Sequence, residues 1–276
     1  MATSKKLEII YHNGQPDGIR SIRRHLSTIT AYVIPRPLLS EAKQITGINR
    51  PGIYYLIRED EDNNIAQIYV GQTRNGVSRL DDHNRSKDFW NKAIMFLSDK
   101  NTFNLDIISG LEEFAITKAW ESKRYKVENS VSPKYEISEY DLVSIEEIYD
   151  EIKFVMATIG YKLSNSEETK SGTDIFHTTR NGITAYGVYS GDKFEILEGS
   201  QINLGKPVHL PKYNKQREEL INNGNLVKEN GKDILKVNLE FRTPSGASDF
   251  VLGGSTNGWV EWKNSDGKTL DELFRK

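Results

Sequence analysis

The sequence predicts an α/β (α+β) protein in which a small mixed sheet flanked by helices is followed by a smaller α+β domain. In the first half, short aromatic and β-branched runs alternate with segments of helical periodicity. A polar stretch without periodicity follows, as is typical of a linker, and strand patterns return from about Ile175. We therefore expect a first domain with an N-terminal arm at residues 1–162, a linker at 163–174 and a second domain at 175–276.

Composition restricts the class of protein. A chain of 276 residues is long enough to form two modest cores. It contains no cysteine, which excludes disulfides and thiolate metal sites and suits a reducing cytosol. No apolar stretch is long enough to span a bilayer, and the first residues lack the apolar region of a signal peptide. We expect a cytoplasmic protein.

The formal net charge is only −2, but the charges are unevenly distributed along the chain. Arginine is frequent in the first fifty residues, whereas residues 136–151 are strongly acidic. A basic face and an acidic connector would nearly cancel in the sum. Arg20, Arg23 and Arg24 are therefore predicted to lie on a nucleic-acid-binding surface whose affinity falls steeply with salt.

The segment from Pro51 to Thr73 predicts a β-hairpin. Its runs IYYLI and IAQIYVG flank the charged, turn-forming EDEDNN. Because side chains alternate between the two faces of a strand, Tyr54 and Tyr69 are expected on the same face. Gly71 has no side chain and would let a backbone or a phosphate come close. On this segment alone, an ordinary hairpin with tyrosines in the core is the alternative.

Helical spacing follows the hairpin. Arg79 and His83 are four residues apart and would share one face of a helix, although a surface helix with solvated side chains is the alternative. The run AIMFL then predicts a third strand, with Phe89 and Trp90 supplying core bulk. Residues 111–130 predict the next helix.

Other segments complete the two domains. LEIIY predicts a first strand, the arginine-rich segment after it a helix or an extended arm, and PLLSEAK a short helix. Apolar residues at helical spacing predict the last helix of the first domain over residues 144–160. In the second domain, ITAYGVYSGDKFEILEGSQI predicts a hairpin, and NKQREELINNG predicts a helix that ends at Gly224.

The order of these motifs resembles the signature of the GIY-YIG nuclease superfamily. Gly52-Ile53-Tyr54 matches its first element and Tyr69-Val70-Gly71 its second. Arg79 and His83 stand where the superfamily has an arginine, often followed by a histidine, on the next helix. The segments DFWNKAIMF and RYKVENSVSP, and the C-terminal ASDFVLGGSTNGWVEWKNSDGKTLDEL, are similar to a bacterial-type subgroup with an uncharacterised C-terminal domain.

The resemblance also implies a metal-binding glutamate on the helix over residues 111–130. Glu112 fits best because Ala115-Ile116 follows it at the expected distance, and Glu113 is the near competitor. An asparagine is expected where this helix ends, and Asn129 stands there. Helical periodicity favours Glu112 weakly, since it shares an inward-facing stripe with Ile116.

The activity that the resemblance implies is metal-dependent hydrolysis of phosphodiester bonds in DNA, with Mg²⁺ as the cofactor and Mn²⁺ as an alternative. Tyr54 is then the general base, Tyr69 positions water or phosphate, Arg79 binds phosphate and Glu112 holds the metal. The chemistry agrees: a nearby cation favours a phenolate, and a neutral His83 would accept or relay its proton. A guanidinium donates two parallel hydrogen bonds to phosphate, and one carboxylate is enough for a well-hydrated Mg²⁺.

The residues after the second tripeptide extend the predicted nucleic-acid contact, which comprises Gly71, Gln72, Thr73, Arg74 and Asn129. Many relatives have a lysine where Gln72 stands. Gln72 donates a hydrogen bond but brings no charge, so Arg74 is the nearest residue that would supply a cation.

Two other functions are left open: a nucleic-acid-binding or recruiting module with an idle nuclease centre, and a nuclease that acts on RNA. The second domain carries a polar and aromatic cluster, which comprises Ser245, Ser248, Ser255, Asn257, Trp259, Trp262 and Lys263. This cluster would bind nucleic acid by stacking. The alternatives are that both tryptophans belong to the core, or that the domain recruits a protein partner.

Overall fold

In the computed structural model, the chain divides into two compact units, Met1–Ser164 and Asn165–Lys276. The structure describes residues 4–59, 65–122, 124–131, 133–163, 174–191 and 193–275. Most of the predicted linker at 163–174 lies outside the described residues, so the predicted domain boundaries stay predictions. Each unit has its own sheet, helices and apolar core, which makes the fold α+β as predicted. In the described parts of the chain, every helix is too short or too polar to cross a membrane.

A sheet of seven strands, counted over the described residues, forms the centre of the first unit. In chain order the strands are β1 (Leu7–Tyr11), β2 (Arg20–Arg24), β3 (Thr30–Pro35), β4 (Gly52–Glu59), β5 (Ile65–Thr73), β6 (Lys92–Leu97) and β7 (Lys126–Val127). They lie side by side in the order β1-β2-β3-β6-β4-β5-β7. Only β5 and β7 pair in parallel within this part of the structure.

Helices cover both faces of this sheet. They are α1 (Leu39–Ala42), which continues a 3-10 turn at Arg36–Leu38, then α2 (Arg79–Ser86), α3 (Leu105–Ser122) and α4 (Glu139–Thr158). The first two helices belong to the core on one face, and α3 and α4 belong to the core on the other. The LEIIY strand, the AIMFL strand, the PLLSEAK helix and the last helix of this domain are thus confirmed.

Alternation along the hairpin decides which face each side chain joins. Ile53 and Tyr55 lie in the core beneath α3 and α4, whereas Tyr54 and Leu56 lie in the core beneath α1 and α2. Tyr69 of β5 packs against the second of these cores. The prediction that a tyrosine from each strand shares one face is confirmed.

The helix that carries the two glutamates differs from the prediction at both ends. It begins at Leu105, because the Asn104 side chain accepts a hydrogen bond from the Ile107 backbone N–H (2.9 Å) and so caps an earlier first turn. It ends at Ser122. Strand β7 follows it, so residues up to 130 do not continue the helix as predicted.

Charged segments also differ from expectation. The arginine-rich segment is strand β2, paired along its length with β1 and β3, so the helical alternative is wrong. Most of the acidic stretch at 136–151 belongs to α4 rather than to a connector. This helix starts earlier than predicted because the Ser138 hydroxyl accepts from the Asp141 N–H (3.1 Å) and caps its first turn.

The second unit combines two antiparallel sheets with short helices. Its strands are β8 (Ile175–Arg180), β9 (Ile183–Tyr189), β10 (Phe194–Ile196), β11 (Leu226–Glu229), β12 (Lys232–Leu235) and β13 (Leu239–Phe241). Its helices are α5 (Pro211–Asn222), α6 (Pro244–Leu252), α7 (Gly258–Glu261) and α8 (Leu270–Phe274). One sheet has the order β13-β10-β9-β8, and β11 pairs with β12 in the other. The predicted hairpin is β9–β10, and Gly224 follows α5 with a φ of +71° as predicted.

The structure separates the two tryptophans of the polar and aromatic cluster. Trp262 is fully buried, and its indole N–H donates to the Pro244 carbonyl (3.0 Å). Ser248 is also buried, with its hydroxyl against that of Thr256 (2.5 Å). Trp259 is only partly buried. The interpretation of both tryptophans as core is therefore correct for Trp262 alone.

Candidate active site

The predicted tyrosines and histidine meet on one face of the sheet. The rings of Tyr54 and Tyr69 have centroids 6.4 Å apart. The His83 ring, from α2, lies 5.4 Å from the Tyr54 ring and 5.2 Å from the Tyr69 ring between centroids. The Tyr54 hydroxyl oxygen is 2.6 Å from His83 Nε2 and is hydrogen-bonded to it. The hairpin and the helix after it thus form a buried tyrosine–histidine pair.

Gly71 makes room for Tyr54. The two residues are directly paired between β4 and β5. A Cβ on Gly71 would lie 2.3 Å from the Tyr54 hydroxyl oxygen, which is far inside contact distance. The phenol ring therefore occupies the space that the sequence suggested for a backbone or a phosphate.

Arg79 stands at the first position of α2, half-exposed beside the pair. It lies close enough to Tyr54 for the two groups to interact, and this interaction raises the pKa of Arg79. It also donates to Asp82 Oδ2 at 3.3 Å, and Asp82 accepts from Arg85 at 2.9 Å on its other oxygen. These exposed ion pairs contribute little to stability. The guanidinium is thus held at the surface next to the buried tyrosine.

Helix α3 directs its two candidate glutamates to different partners. Glu112 accepts a hydrogen bond from the Gln72 backbone N–H (3.1 Å) on one oxygen and from the Gln72 side-chain amide (2.9 Å) on the other. Glu113 instead accepts from the Tyr135 backbone N–H (2.8 Å). The Glu112 charge raises the pKa of Tyr54, so this carboxylate lies within electrostatic range of the tyrosine. Of the two, only Glu112 is thus bonded to the strand that carries Tyr69 in the described structure.

Side chains complete the open edge of β5. Strand β7 pairs with only two residues of β5. Beyond that pairing, the Asn129 side chain accepts from Val70 N–H (2.9 Å) and donates to Val70 C=O (2.8 Å), as a further strand would. Glu112 takes the next N–H facing this edge, that of Gln72. Asn129 follows β7 rather than ending a helix, so its predicted position is wrong, and its amide is engaged with the backbone.

Burial sets the protonation of the tyrosine–histidine pair. Burial, together with the positive charges of Arg79 and Lys87, lowers the pKa of His83 to about 4. Burial raises the pKa of Tyr54, and Tyr69 adds to the rise. Arg79 opposes this rise only in part, so one cation does not make Tyr54 a phenolate at neutral pH. The pair is therefore a neutral phenol beside a neutral imidazole.

The Glu112 carboxylate fits a magnesium ion. Burial raises its pKa, and the hydrogen bonds from Gln72 oppose the rise. Within the described chain no cation lies at ion-pairing distance from it, so a metal ion would relieve an uncompensated charge. The described residues contain no cluster of three or more acidic or histidine side chains suited to a metal. Mg²⁺ does not require one, because it keeps several waters and shares phosphate oxygens with the protein.

A cleft of about 430 Å³ opens beside these groups. Its lining comprises Gln72, Thr73, Arg74, Asn75, Ser78, Arg79 and Asp82. The Thr73 hydroxyl is engaged with the Gly76 carbonyl (2.9 Å), whereas Arg74 is exposed and makes no ion pair within the described chain. Three of the residues predicted to contact nucleic acid thus line a single cleft.

The structure does not bring the N-terminal arginines to this cleft. Strand β2 is separated from β5 by β3, β6 and β4. Arg23 forms an ion pair with Glu8 (2.9 Å), and Arg24 forms one with Glu151 of α4 (2.8 Å). Arg20 is partly buried. Their role in binding nucleic acid stays a prediction, and it concerns a different part of the surface.

Sequence reasoning missed two residues near the site. The Lys87 ammonium lies 4.3 Å from the centroid of the Tyr69 ring. A signal for it was present, since Arg79, His83 and Lys87 recur every four residues in the sequence, although Lys87 lies just after the end of α2. The Ser109 hydroxyl lies 3.4 Å from the side-chain nitrogen of Gln72 and helps to hold this amide. Nothing in the sequence indicated that contact, because it joins a strand to a helix.

Two family models match the chain. Residues 51–135 match the GIY-YIG catalytic domain, and residues 176–274 match a domain of unknown function, DUF4357. Comparison with curated proteins and with solved structures gives no match. The GIY-YIG match indicates a nuclease of that type, and hence a nucleic-acid substrate. The chain therefore carries a GIY-YIG catalytic domain of the nuclease type, followed by a DUF4357 domain.

Proposed function

We propose that this protein is a metal-dependent endonuclease that hydrolyses phosphodiester bonds in DNA, working in the cytoplasm. One observation carries the proposal: the hydrogen bond between the Tyr54 hydroxyl and His83 Nε2, beside Arg79 and the Glu112 carboxylate. Hydrolysis needs a proton acceptor for water, cations for the developing phosphorane charge, and a metal ligand. Arg79 lines the cleft, and Tyr54 and Glu112 each interact with a residue that lines it, so this one region contains a candidate for each.

The proton moves in two coupled steps in this proposal. Tyr54 takes a proton from the attacking water as its own hydroxyl proton passes to His83 Nε2. With the imidazole proton on Nδ1, Nε2 is free to accept. Before substrate binds, the pKa values oppose proton transfer from Tyr54 to His83, since the pKa of Tyr54 is raised and that of His83 is lowered. The negative charge of the phosphorane reverses that balance, because an adjacent anion favours the protonated imidazole.

Cations at the cleft bind the phosphate. Arg79 offers two parallel donors of fixed geometry and keeps its charge. To bind a phosphate, Arg79 gives up its ion pair with the Asp82 carboxylate. Losing this pair costs little free energy because both side chains are exposed. Arg74, which lines the cleft, and Lys87, which lies over the Tyr69 ring, make no ion pair within the described chain and add positive charge. Tyr69 supplies a hydroxyl that positions the water or the phosphate.

Glu112 is the residue that would hold Mg²⁺ or Mn²⁺, with the Gln72 backbone and side chain fixing its carboxylate. A divalent ion there would stabilise charge on the leaving oxygen. Gln72 replaces the lysine of many relatives, and as a neutral donor it leaves the full carboxylate charge available to the metal.

The test is cleavage of supercoiled plasmid with Mg²⁺, followed on gels, with EDTA as the metal-free control and single-stranded DNA and RNA as parallel substrates. Tyr54→Phe should lower kcat by about two to four orders of magnitude with DNA affinity nearly unchanged. Tyr55→Phe is the matched control, because its buried hydroxyl has no hydrogen-bond partner in the described chain. Undiminished cleavage by Tyr54→Phe would contradict the general-base role, and cleavage of RNA alone would overturn the substrate. Binding without cleavage by the native chain would indicate an idle centre.

A further inference from the structure

We propose that the DUF4357 domain binds single-stranded nucleic acid, with a phosphate at Lys206 and a base on Trp259. This site is separate from the proposed nuclease centre and does not depend on it. Two independent features of one surface segment, residues 252–259, support it. The first is a small cationic cavity, and the second is a partly exposed indole covered by a guanidinium.

The cavity has about 80 Å³ of open volume, the size of a single phosphate group or a few waters. Lys206 and Arg180 line it together with Asn203, Ser255 and Thr256. The Ser255 side chain is exposed and makes no hydrogen bond within the described chain. One ammonium group, one guanidinium and a free hydroxyl are donors suited to phosphate oxygens.

Two glycines let the ammonium group lie over the backbone. Gly253 and Gly254 have φ angles of +76° and +80°, where residues with a Cβ are strained. A Cβ on Gly254 would lie 2.9 Å from Lys206 Nζ, so a side chain there would displace the ammonium group. Residues without a side chain thus stand where the Lys206 ammonium group lies.

Lys206 could instead have a purely structural role, capping the C-terminus of α6, where the free carbonyl groups favour a cation. Other donors already take those carbonyls. The Gly253 N–H bonds to Asp249 C=O (2.9 Å), and the Arg217 guanidinium donates to Phe250 C=O (3.1 Å). Asn203 donates to the last two carbonyls of the helix, through its backbone N–H (2.8 Å) and its side-chain amide (3.1 Å).

The Lys206 charge is therefore uncommitted. Within the described chain it forms no ion pair, whereas Arg180 is paired with Glu261 (2.6 Å). The buried Arg217 guanidinium also donates to the Lys206 carbonyl (2.9 Å), which fixes this residue against the end of α6. Burying the Arg217 guanidinium costs free energy, and this buried cation positions the exposed Lys206.

Trp259 offers the stacking surface. The Arg275 guanidinium lies 3.5 Å from the centroid of the Trp259 ring and forms no ion pair within the described chain. Tyr189 contacts the same indole edge-on, with ring centroids 5.4 Å apart. Bases stack both on aromatic rings and on guanidinium planes.

The two features are neighbours. Arg180 lines the cavity and is ion-paired with Glu261, on the same short helix, α7, as Trp259. A phosphate at Lys206 and an unstacked base on Trp259 would belong to one strand. Bases inside a duplex are stacked on each other, so this combination favours single strands over duplex.

The experiment measures binding of the full chain, in EDTA, to a fluorescein-labelled thymidine 12-mer by anisotropy at several salt concentrations. Lys206→Gln should weaken binding several-fold and flatten the slope of log affinity against log salt by about 0.7. Trp259→Ala should weaken binding about ten-fold. Lys268→Gln, which removes an exposed lysine of the same domain, is the matched control and should bind as the native chain does.

The proposal is overturned if Lys206→Gln and Trp259→Ala, each with a native-like melting curve, bind the 12-mer with native affinity and salt slope. A second measurement compares melting curves with and without inorganic phosphate. The proposal is also overturned if Lys206→Gln abolishes stabilisation by phosphate but leaves binding of the 12-mer unchanged, since the cavity then binds a free anion. If Trp259→Ala melts early, Arg275→Gln replaces it with the same expected loss. The binding assay contains EDTA and measures no cleavage. A failure of the plasmid-cleavage test of the proposed nuclease activity therefore does not affect its outcome.

Discussion

Replacing the two adjacent glutamates of α3 one at a time tests the site most directly. Glu112→Gln keeps the shape of the side chain but removes the charge that a metal needs. At several kcal/mol of transition-state stabilisation from a metal ion, and 1.4 kcal/mol per factor of ten in rate, cleavage should fall about a thousand-fold. Glu113→Gln should cleave at nearly the native rate, because its carboxylate bonds to the Tyr135 backbone and not to the strand that holds Tyr69.

The same two variants should differ in stability in the opposite direction. Burial disfavours the Glu112 charge in the metal-free protein, but a glutamine keeps only one of the two oxygens that accept from Gln72. These effects oppose each other, so Glu112→Gln should leave the free energy of unfolding nearly unchanged. Glu113→Gln weakens the 2.8 Å bond from Tyr135 N–H and should cost about 1 kcal/mol. One variant loses cleavage and keeps stability, and the other does the reverse.

Melting curves with and without Mg²⁺ give a readout that does not need catalysis. Saturating a site at one hundred times its Kd stabilises the fold by about 2.7 kcal/mol. The native chain and Glu113→Gln should show such an upward shift in Tm, and Glu112→Gln should not. The assignment is refuted if Glu113→Gln loses both cleavage and the Mg²⁺-dependent shift while Glu112→Gln retains them. In that case the metal site lies one residue further along the helix.

Three further predictions concern charge. Because the pKa of His83 is lowered, the unfolded chain binds the proton more strongly between about pH 6.5 and pH 4. The resulting stability, up to about 3 kcal/mol, is complete above pH 6.5 and is lost as the pH falls to about 4; denaturation of His83→Gln should show a flatter dependence. Arg79→Ala should reduce kcat by about 10² to 10³ and weaken DNA binding much less. Neutralising Arg20, Arg23 and Arg24 should lower the salt slope of DNA binding, and an unchanged slope would exclude β2 from the DNA surface.

Periodicity predicted the parts of the site that depend on local geometry. A period of two placed Tyr54 and Tyr69 on one face, and a spacing of four placed Arg79 and His83 on one stripe. Both are properties of a single element, so the sequence contains them. Glu112 and Glu113 are harder to distinguish from the sequence, because adjacent helical residues differ only in direction and their bonding partners lie on other elements.

Partners of charged and polar side chains could not be predicted, because the partners lie far away in the sequence. The arginines of β2 suggested a basic surface, yet Arg24 is paired with Glu151, which is 127 residues away. The acidic residues that were expected to form a separate connector include that glutamate. Formal charge along a chain therefore overestimates the free charge that a folded surface presents to DNA.

The edge of β5 explains why the structural and the chemical roles of this site are linked. An open edge leaves N–H and C=O groups without partners, and β7 covers only part of it. The Asn129 side-chain amide bonds to both the N–H and the C=O of Val70, and Glu112 accepts a hydrogen bond from the N–H of Gln72. The carboxylate proposed to hold the metal is thus also the group that accepts a free N–H at the sheet edge, and Gln72 donates to both of its oxygens. If Glu112 holds a metal ion as proposed, its carboxylate is positioned without the metal, because its place follows from the backbone of the strand beside it.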